Sequence, residues 1–146
     1  MKRVFVSLSF MLAVGLTTAF ADNHTDVNSK IKQSFDKEFT EAKLISWDEA
    51  GSYQIARFIL HAHAAIAYFN EDGELLGCAR SILFNELPMA AIKSFEEKYT
   101  GGYFTEIAEI LNSEGTFYSA TVTTINKSYH IKADANGSIL KRTRIK

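Results

Sequence analysis

The sequence predicts an α+β domain: two tandem helix-plus-antiparallel-meander repeats forming one sheet, with two helices on one face. Three observations predict it. Two short segments carry apolar residues at helical spacing, each is followed by β-branched and aromatic stretches broken by tight-turn signals, and the two halves resemble each other. Ser34-Phe35-Asp36-Lys37-Glu38-Phe39-Thr40 matches Ser94-Phe95-Glu96-Glu97-Lys98-Tyr99-Thr100 at a shift of 60, and Gly73-Glu74-Leu75-Leu76 matches Gly137-Ser138-Ile139-Leu140 at a shift of 64. The difference is read as a loop insertion at Asn112-Ser113-Glu114-Gly115. The repeats run from about 27 to 82 and from about 87 to 146 within one domain, 22–146.

Residues 1–21 read as a cleavable signal peptide. Lys2 and Arg3 precede an uncharged apolar run from Val4 to Leu16, too short to span a bilayer comfortably, and Ala19-Phe20-Ala21 supplies the small-x-small pattern of a cut before Asp22. The expectation is a periplasmic or secreted protein without a transmembrane anchor. No cysteine lies near the cut to accept a lipid.

In the first helix, Val27, Ile31, Phe35 and Phe39 recur every fourth position among charged residues. The chain from Leu44 to Leu60 then turns β-like, interrupted at Glu49-Ala50-Gly51-Ser52. Asn70-Glu71-Asp72-Gly73 reads as a hairpin turn, since glycine supplies the positive φ such turns demand, and Glu74 to Ile82 returns as a strand. The second helix opens at Leu87-Pro88, carries Ala91, Ile92, Phe95 and Tyr99, and stops at Gly101-Gly102. Thr116 to Thr123 and Ser128 to Ala133 alternate as strands, and Asp134-Ala135-Asn136-Gly137 turns into a last strand from Ser138 to about Ile145. This places Phe35, Phe39, Phe95 and Tyr99 at the helix–sheet interface, opposite Tyr118, Val122, Tyr129 and Ile131.

Leu87-Pro88 opening a helix, Phe95 and Tyr99 along it, and Tyr129 to Ala133 leading into a glycine hairpin followed by two aliphatics resemble the PepSY-like family of exported bacterial proteins, which is grouped structurally with the β-lactamase inhibitor protein. The resemblance covers nearly all of 27–146. It implies an exported, non-enzymatic binding or regulatory module, inhibitor-like in character, and brings no catalytic residue with it.

The composition restricts function further. Without residues 1–21 the chain carries 14 basic and 17 acidic residues, both signs scattered, so neither nucleic acid nor an anionic membrane is indicated. Cys78 is the single cysteine and reads as a small buried hydrophobe. No nucleophile elbow, metalloprotease helix or phosphate-cradling loop is present, so no catalytic residue is assigned. His61-Ala62-His63 has a spacing that some metal sites use, but residues 60–63 correspond at a shift of 64 to Thr124-Ile125-Asn126-Lys127, where neither histidine has a counterpart ligand. No metal or cofactor is expected.

The partner-binding face is read by extending the alternation of the second half into the first. Gln54, Ala56 and Phe58 then face the core, as do Ala65, Ala67 and Phe69. Tyr53, Ile55, Arg57, Ile59, Ile66 and Tyr68 emerge on the uncovered face, where the second half carries Thr121, Thr123, His130 and Lys132. Tyrosine and arginine beside aliphatic residues form a protein-binding composition. The expected partner is a protein or peptide in the envelope or outside the cell. A second copy of the chain is an open alternative, as is a bulge near Arg57 that turns these side chains inward. The competing functions are a small-ligand carrier or enzyme using a cavity between sheet and helices, and a self-associating envelope protein.

Overall fold

The computed structural model describes residues 27–145; the expected signal peptide and its cut site lie outside them. The elements in order are α1 (Ser29–Glu38), β1 (Lys43–Ala50), β2 (Tyr53–Leu60), β3 (His63–Phe69), β4 (Leu75–Ser81), a 3-10 turn (Phe84–Glu86), α2 (Met89–Lys98), β5 (Tyr103–Asn112), β6 (Gly115–Thr123), β7 (Ser128–Asp134) and β8 (Ile139–Arg144).

The expected fold class is overturned. In place of two tandem helix-plus-meander repeats, the molecule is one continuous eight-stranded antiparallel sheet in the order β1 to β8, to which two ten-residue helices are minor additions. No seam divides the strands: β4 and β5 pair directly from Gly77↔Asn112 to Ser81↔Ala108. The sequence reading undercounts strands because β5 hides its alternation. Its register slips between Thr105 and Ala108, and Glu106 there adopts a left-handed φ of 50°. The expected insertion at Asn112 to Gly115 is also absent. Asn112 pairs with Gly115, so this segment is a tight hairpin turn, and the extra residues lie in the longer β5 and β6 and in the longer β6–β7 turn.

Helix α1 starts where Asn28 places its side-chain oxygen 2.9 Å from the Lys30 N–H, satisfying one of the orphan donors of a helix start. It buries Ile31 and Phe35, and Phe35 lies within 5.5 Å, centroid to centroid, of Phe39, Trp47 and Phe58. With Ala56, Ala67 and Phe69 these form one core. Helix α2 follows Pro88 and buries Ala91 and Phe95, which stacks on Phe104 at 5.7 Å. Tyr99, Tyr118, Val122 and Ile131 complete a second core, with Tyr129 packed against it.

Two glycine turns fasten strands to helices, Gly73 against Lys30 and Ser34 of α1 and Gly137 against Ala90 and Ser94 of α2. Asp134 Oδ1 accepts from the N–H groups of Asn136 and Ser138 at 2.9 Å each, leaving Gly137 at φ 82° beneath α2, where its carbonyl accepts the Ser94 hydroxyl at 2.6 Å. Only glycine fits there, because a Cβ would collide with the Ala90 carbonyl.

Candidate functional site

Strand β2 pairs with β3 without irregularity from Gln54↔Phe69 to Leu60↔His63. Alternation therefore sends Ala56, Phe58, Ala67 and Phe69 into the core and Ile55, Arg57, Ile66 and Tyr68 to the reverse face. The bulge considered near Arg57 sits on the neighbouring strand, between Leu44 and Ser46, and does not turn β2 over.

The register brings four of the six expected residues together at the centre of the reverse face. Ile55 lies opposite Tyr68 and Arg57 opposite Ile66, at cross-strand spacing. Tyr53 and Ile59 occupy the two ends of β2, paired with Ala50 and Lys43 across β1. Ile55 is only 8% exposed, so it supports the face from below rather than presenting surface. Tyr53, Ile59, Ile66 and Tyr68 are half-buried.

Arg57 is exposed and donates from Nε to Asp48 Oδ2 at 2.6 Å. A pair so open to water adds little stability. Its effect is to fix the guanidinium at the β1–β2 edge of the apolar patch. Partial burial pushes the Tyr68 hydroxyl above its ordinary range, and the nearby Arg57 charge opposes that rise.

The patch extends beyond the residues expected from sequence. Ile66 pairs with Ala79, Ala79 with Ile110 and Ile110 with Phe117, forming a continuous row from β3 to β6. Ala79 and Ile110 are buried there, with Ile66, Tyr68 and Phe117 packed around them. Tyr68 itself pairs with Gly77, which has no side chain. Ala79, Ile110 and Phe117 escape the sequence reading because their place depends on the β4–β5 pairing. The signal that does exist is the alternation along β6, which puts Phe117 on the same face as Ser119 and Thr121.

Farther along, the reverse face turns polar. The Thr121 hydroxyl donates to Glu106 Oε2 at 2.6 Å and lies 3.5 Å from His130 Nδ1. The Lys132 ammonium sits 3.9 Å above the Phe117 ring, closing the apolar row on that side.

His61 and His63 both contact polar neighbours. His61 and Ala62 form the β2–β3 turn with φ of 49° and 66°, and His61 Nε2 lies 2.7 Å from Glu41 Oε2. His63 Nδ1 contacts the Ser81 carbonyl oxygen at 2.8 Å, and its Nε2 lies 3.4 Å from Glu86 Oε1. Among the described residues no group of three or more His, Cys, Asp and Glu is placed to hold a metal. Cys78 is half-buried against the Phe58 and Phe69 core. Burial first, then the Glu109 charge, push its thiol up, with Arg80 opposing, which disfavours the reactive thiolate. Among the described residues no helix is long and apolar enough to cross a membrane.

Solved structures share this architecture. A BLIP-like protein from Bacteroides fragilis matches with a TM-score of 0.74 at 20% identity, over 81% of this chain and 86% of its own. A protein provisionally described as periplasmic from Bacteroides eggerthii matches with a TM-score of 0.75 at 18% identity, over 82% and 89%. A DUF2874 family protein from Bacteroides uniformis matches with a TM-score of 0.75 at 17% identity, over 81% and 89%. No family model and no curated protein matches the sequence, so the PepSY resemblance stays a resemblance. The eight-stranded sheet, its two helices and these likenesses together show that the chain has a BLIP-like fold.

Proposed function

We propose that the chain is an exported, non-enzymatic module that captures a protein or peptide on the reverse face of its sheet. The binding patch is centred on Arg57, Ile66 and Tyr68, with Tyr53 and Ile59 at its ends and Ile55 beneath. The observation that carries this reading is the apolar row Ile66, Ala79, Ile110 and Phe117 with Tyr68 beside it, on a face where a solvated sheet carries polar side chains. An arginine held at its rim by Asp48 adds the polar handle of a binding hot spot. The BLIP-like neighbour and the one described as periplasmic support a binding role outside the cytoplasm. The signal-like segment 1–21 supports export.

A ligand carrier or enzyme working in a cavity between sheet and helices has less support. The hollow lined by Ala90, Lys93, Ser94, Glu97, Lys98 and Asn136 lies between α2 and the β7–β8 turn and is an open surface depression, not an enclosed cavity between helix and sheet.

The test is the double variant Tyr53→Ser/Tyr68→Ser in affinity capture from the native envelope fraction. Loss of a hot spot of about 2 kcal/mol weakens capture roughly thirtyfold while the fold persists. Unchanged capture with a marked loss of stability shows instead that these tyrosines are core. Loss of self-association alone, followed by sedimentation, assigns the face to a second copy of the chain.

A further inference from the structure

The signs of charge alternate along much of the sequence, yet they separate in space. Residues 115–146 contain Lys127, Lys132, Lys141, Arg142, Arg144 and Lys146 against a single acid, Asp134. Lys127, Lys132, Lys141 and Arg142 form no ion pair among the described residues, whereas Arg57, Arg80 and Lys93 are paired with carboxylates. Of these unneutralised cations, Lys132 lies on β7 and Lys141 and Arg142 lie on β8.

β8 is also an edge. It pairs with β7 on one side, and among the described residues no strand pairs with the other, so alternate N–H and C=O groups point outward. Lys141 pairs with Lys132 and shares its face, while Arg142 pairs with Ile131 on the other, so positive charge flanks the edge above and below the sheet. Two of these cations are held over aromatic rings: Lys132 over Phe117 at 3.9 Å and Arg142 over Tyr129 at 5.1 Å. They are thereby pre-positioned.

We propose that the outer edge of β8 is a second binding site, independent of the reverse-face patch, which takes an extended acidic segment of a partner protein as a ninth strand. The free backbone groups require an extended polypeptide, and the cations require acidic side chains; acids at alternate positions share one face of a strand, so an alternating segment meets Lys132 and Lys141 on one face or Arg142 on the other. Edge protection alone does not account for the pattern. A single inward charge or bulge guards an edge, and β1 at the opposite edge manages with a bulge and charges of mixed sign. β8 instead places three cations in the four residues Lys141-Arg142-Thr143-Arg144.

The test uses a fluorescein-labelled decapeptide of alternating Glu and Thr, followed by anisotropy against the purified chain. Decapeptides of alternating Glu and Pro and of alternating Lys and Thr serve as controls. The Glu-Thr peptide is expected to bind at least tenfold more tightly than the Glu-Pro peptide, which carries the same charge but lacks the alternate N–H groups a strand donates. Binding weakens with salt and slows amide exchange along β8. Lys141→Glu/Arg142→Glu lowers the affinity at least tenfold, and Lys141→Gln/Arg142→Gln serves if charge reversal disturbs folding. Tyr53→Ser/Tyr68→Ser leaves peptide binding unchanged, so failure here is distinct from failure of the reverse-face reading. Equal affinity for the Glu-Thr and Glu-Pro peptides would mean a polyanion patch without strand addition and would overturn the proposal. So would no binding at millimolar peptide, or self-association of the chain that the Lys141 and Arg142 reversals abolish.

Discussion

The ring of Phe35 meets that of Phe58 edge-on, with centroids 5.1 Å apart and planes at 80°. That contact ties α1 to β2, and both residues are almost fully buried. Truncation of Phe35 to alanine removes it and leaves a cavity the surrounding aromatics cannot refill. Phe35→Ala, and by the same reasoning Phe95→Ala, is expected to cost ~3–5 kcal/mol in urea unfolding. A loss below ~1 kcal/mol would show that the helices contribute little to the core.

Glu106 holds φ at 50° within the β5 bulge while accepting the Thr121 hydroxyl. Left-handed backbone costs a residue with a Cβ roughly 1–2 kcal/mol, and a β-branched side chain suffers most. Glu106→Gly trades that strain against one exposed hydrogen bond and is expected to change stability by no more than ~1 kcal/mol. Glu106→Val keeps the strain, loses the bond and should be clearly destabilising. Equal stability of the two variants in thermal unfolding would argue that the bulge relaxes.

Gly51 and Gly137 both have positive φ, 64° and 82°, but a Cβ at Gly51 meets nothing within 4 Å, whereas one at Gly137 runs into the Ala90 carbonyl. Gly51→Ala should therefore cost only the conformational term of ~1 kcal/mol. Gly137→Ala should cost clearly more, because the β7–β8 turn must lift off α2. Chemical denaturation of the pair reads the difference directly.

Tyr118 and Tyr68 both titrate above the ordinary tyrosine value of 10.0, each chiefly through burial; Tyr118 is raised further by its hydrogen bond to Glu109 and by that carboxylate's charge. A phenol held protonated by the fold contributes stability that is complete below the unfolded value and is lost as pH rises through the folded one. Stability should thus decline above pH ~10. Tyr68→Phe/Tyr118→Phe should flatten that decline without altering the neutral-pH plateau's position on the pH axis. Urea midpoints measured from pH 8 to 11 test it.

The helices and the first part of the site were legible in sequence because their information is local. Ile31, Phe35 and Phe39 repeat at helical spacing, and the clear alternation of Tyr118, Ala120 and Val122 and of Tyr129, Ile131 and Ala133, carried onto the first half, places Arg57, Ile66 and Tyr68 on the reverse face, as the uninterrupted β2–β3 register has them. What was not legible depends on pairing between distant strands. β5 conceals its period behind the Glu106 bulge, and without β5 the row through Ala79, Ile110 and Phe117 has no visible cause. The mistaken fold class has the same origin. Similar helices opening each half of the chain suggested two units, while the Gly77–Ser81 ladder to Ala108–Asn112, which makes one sheet of them, leaves no local pattern. The burial of Ile55 was missed because alternation gives the face a side chain belongs to and not how far its neighbours cover it.

The strictly sequential strand order has a kinetic consequence. Six of the seven ladders join strands separated by short turns, whereas β4 meets β5 only after the chain between Ser81 and Tyr103, with α2 inside it, has closed. A loop roughly tenfold longer adds about 2 kcal/mol to the entropy of closure. Meander formation on either side can therefore run ahead of the joining step, which falls late on the folding path. Until it closes, β4 and β5 each present a bare edge, and at high concentration the corresponding strand of a neighbouring chain can fill it, giving a domain-swapped dimer whose subunits retain native packing.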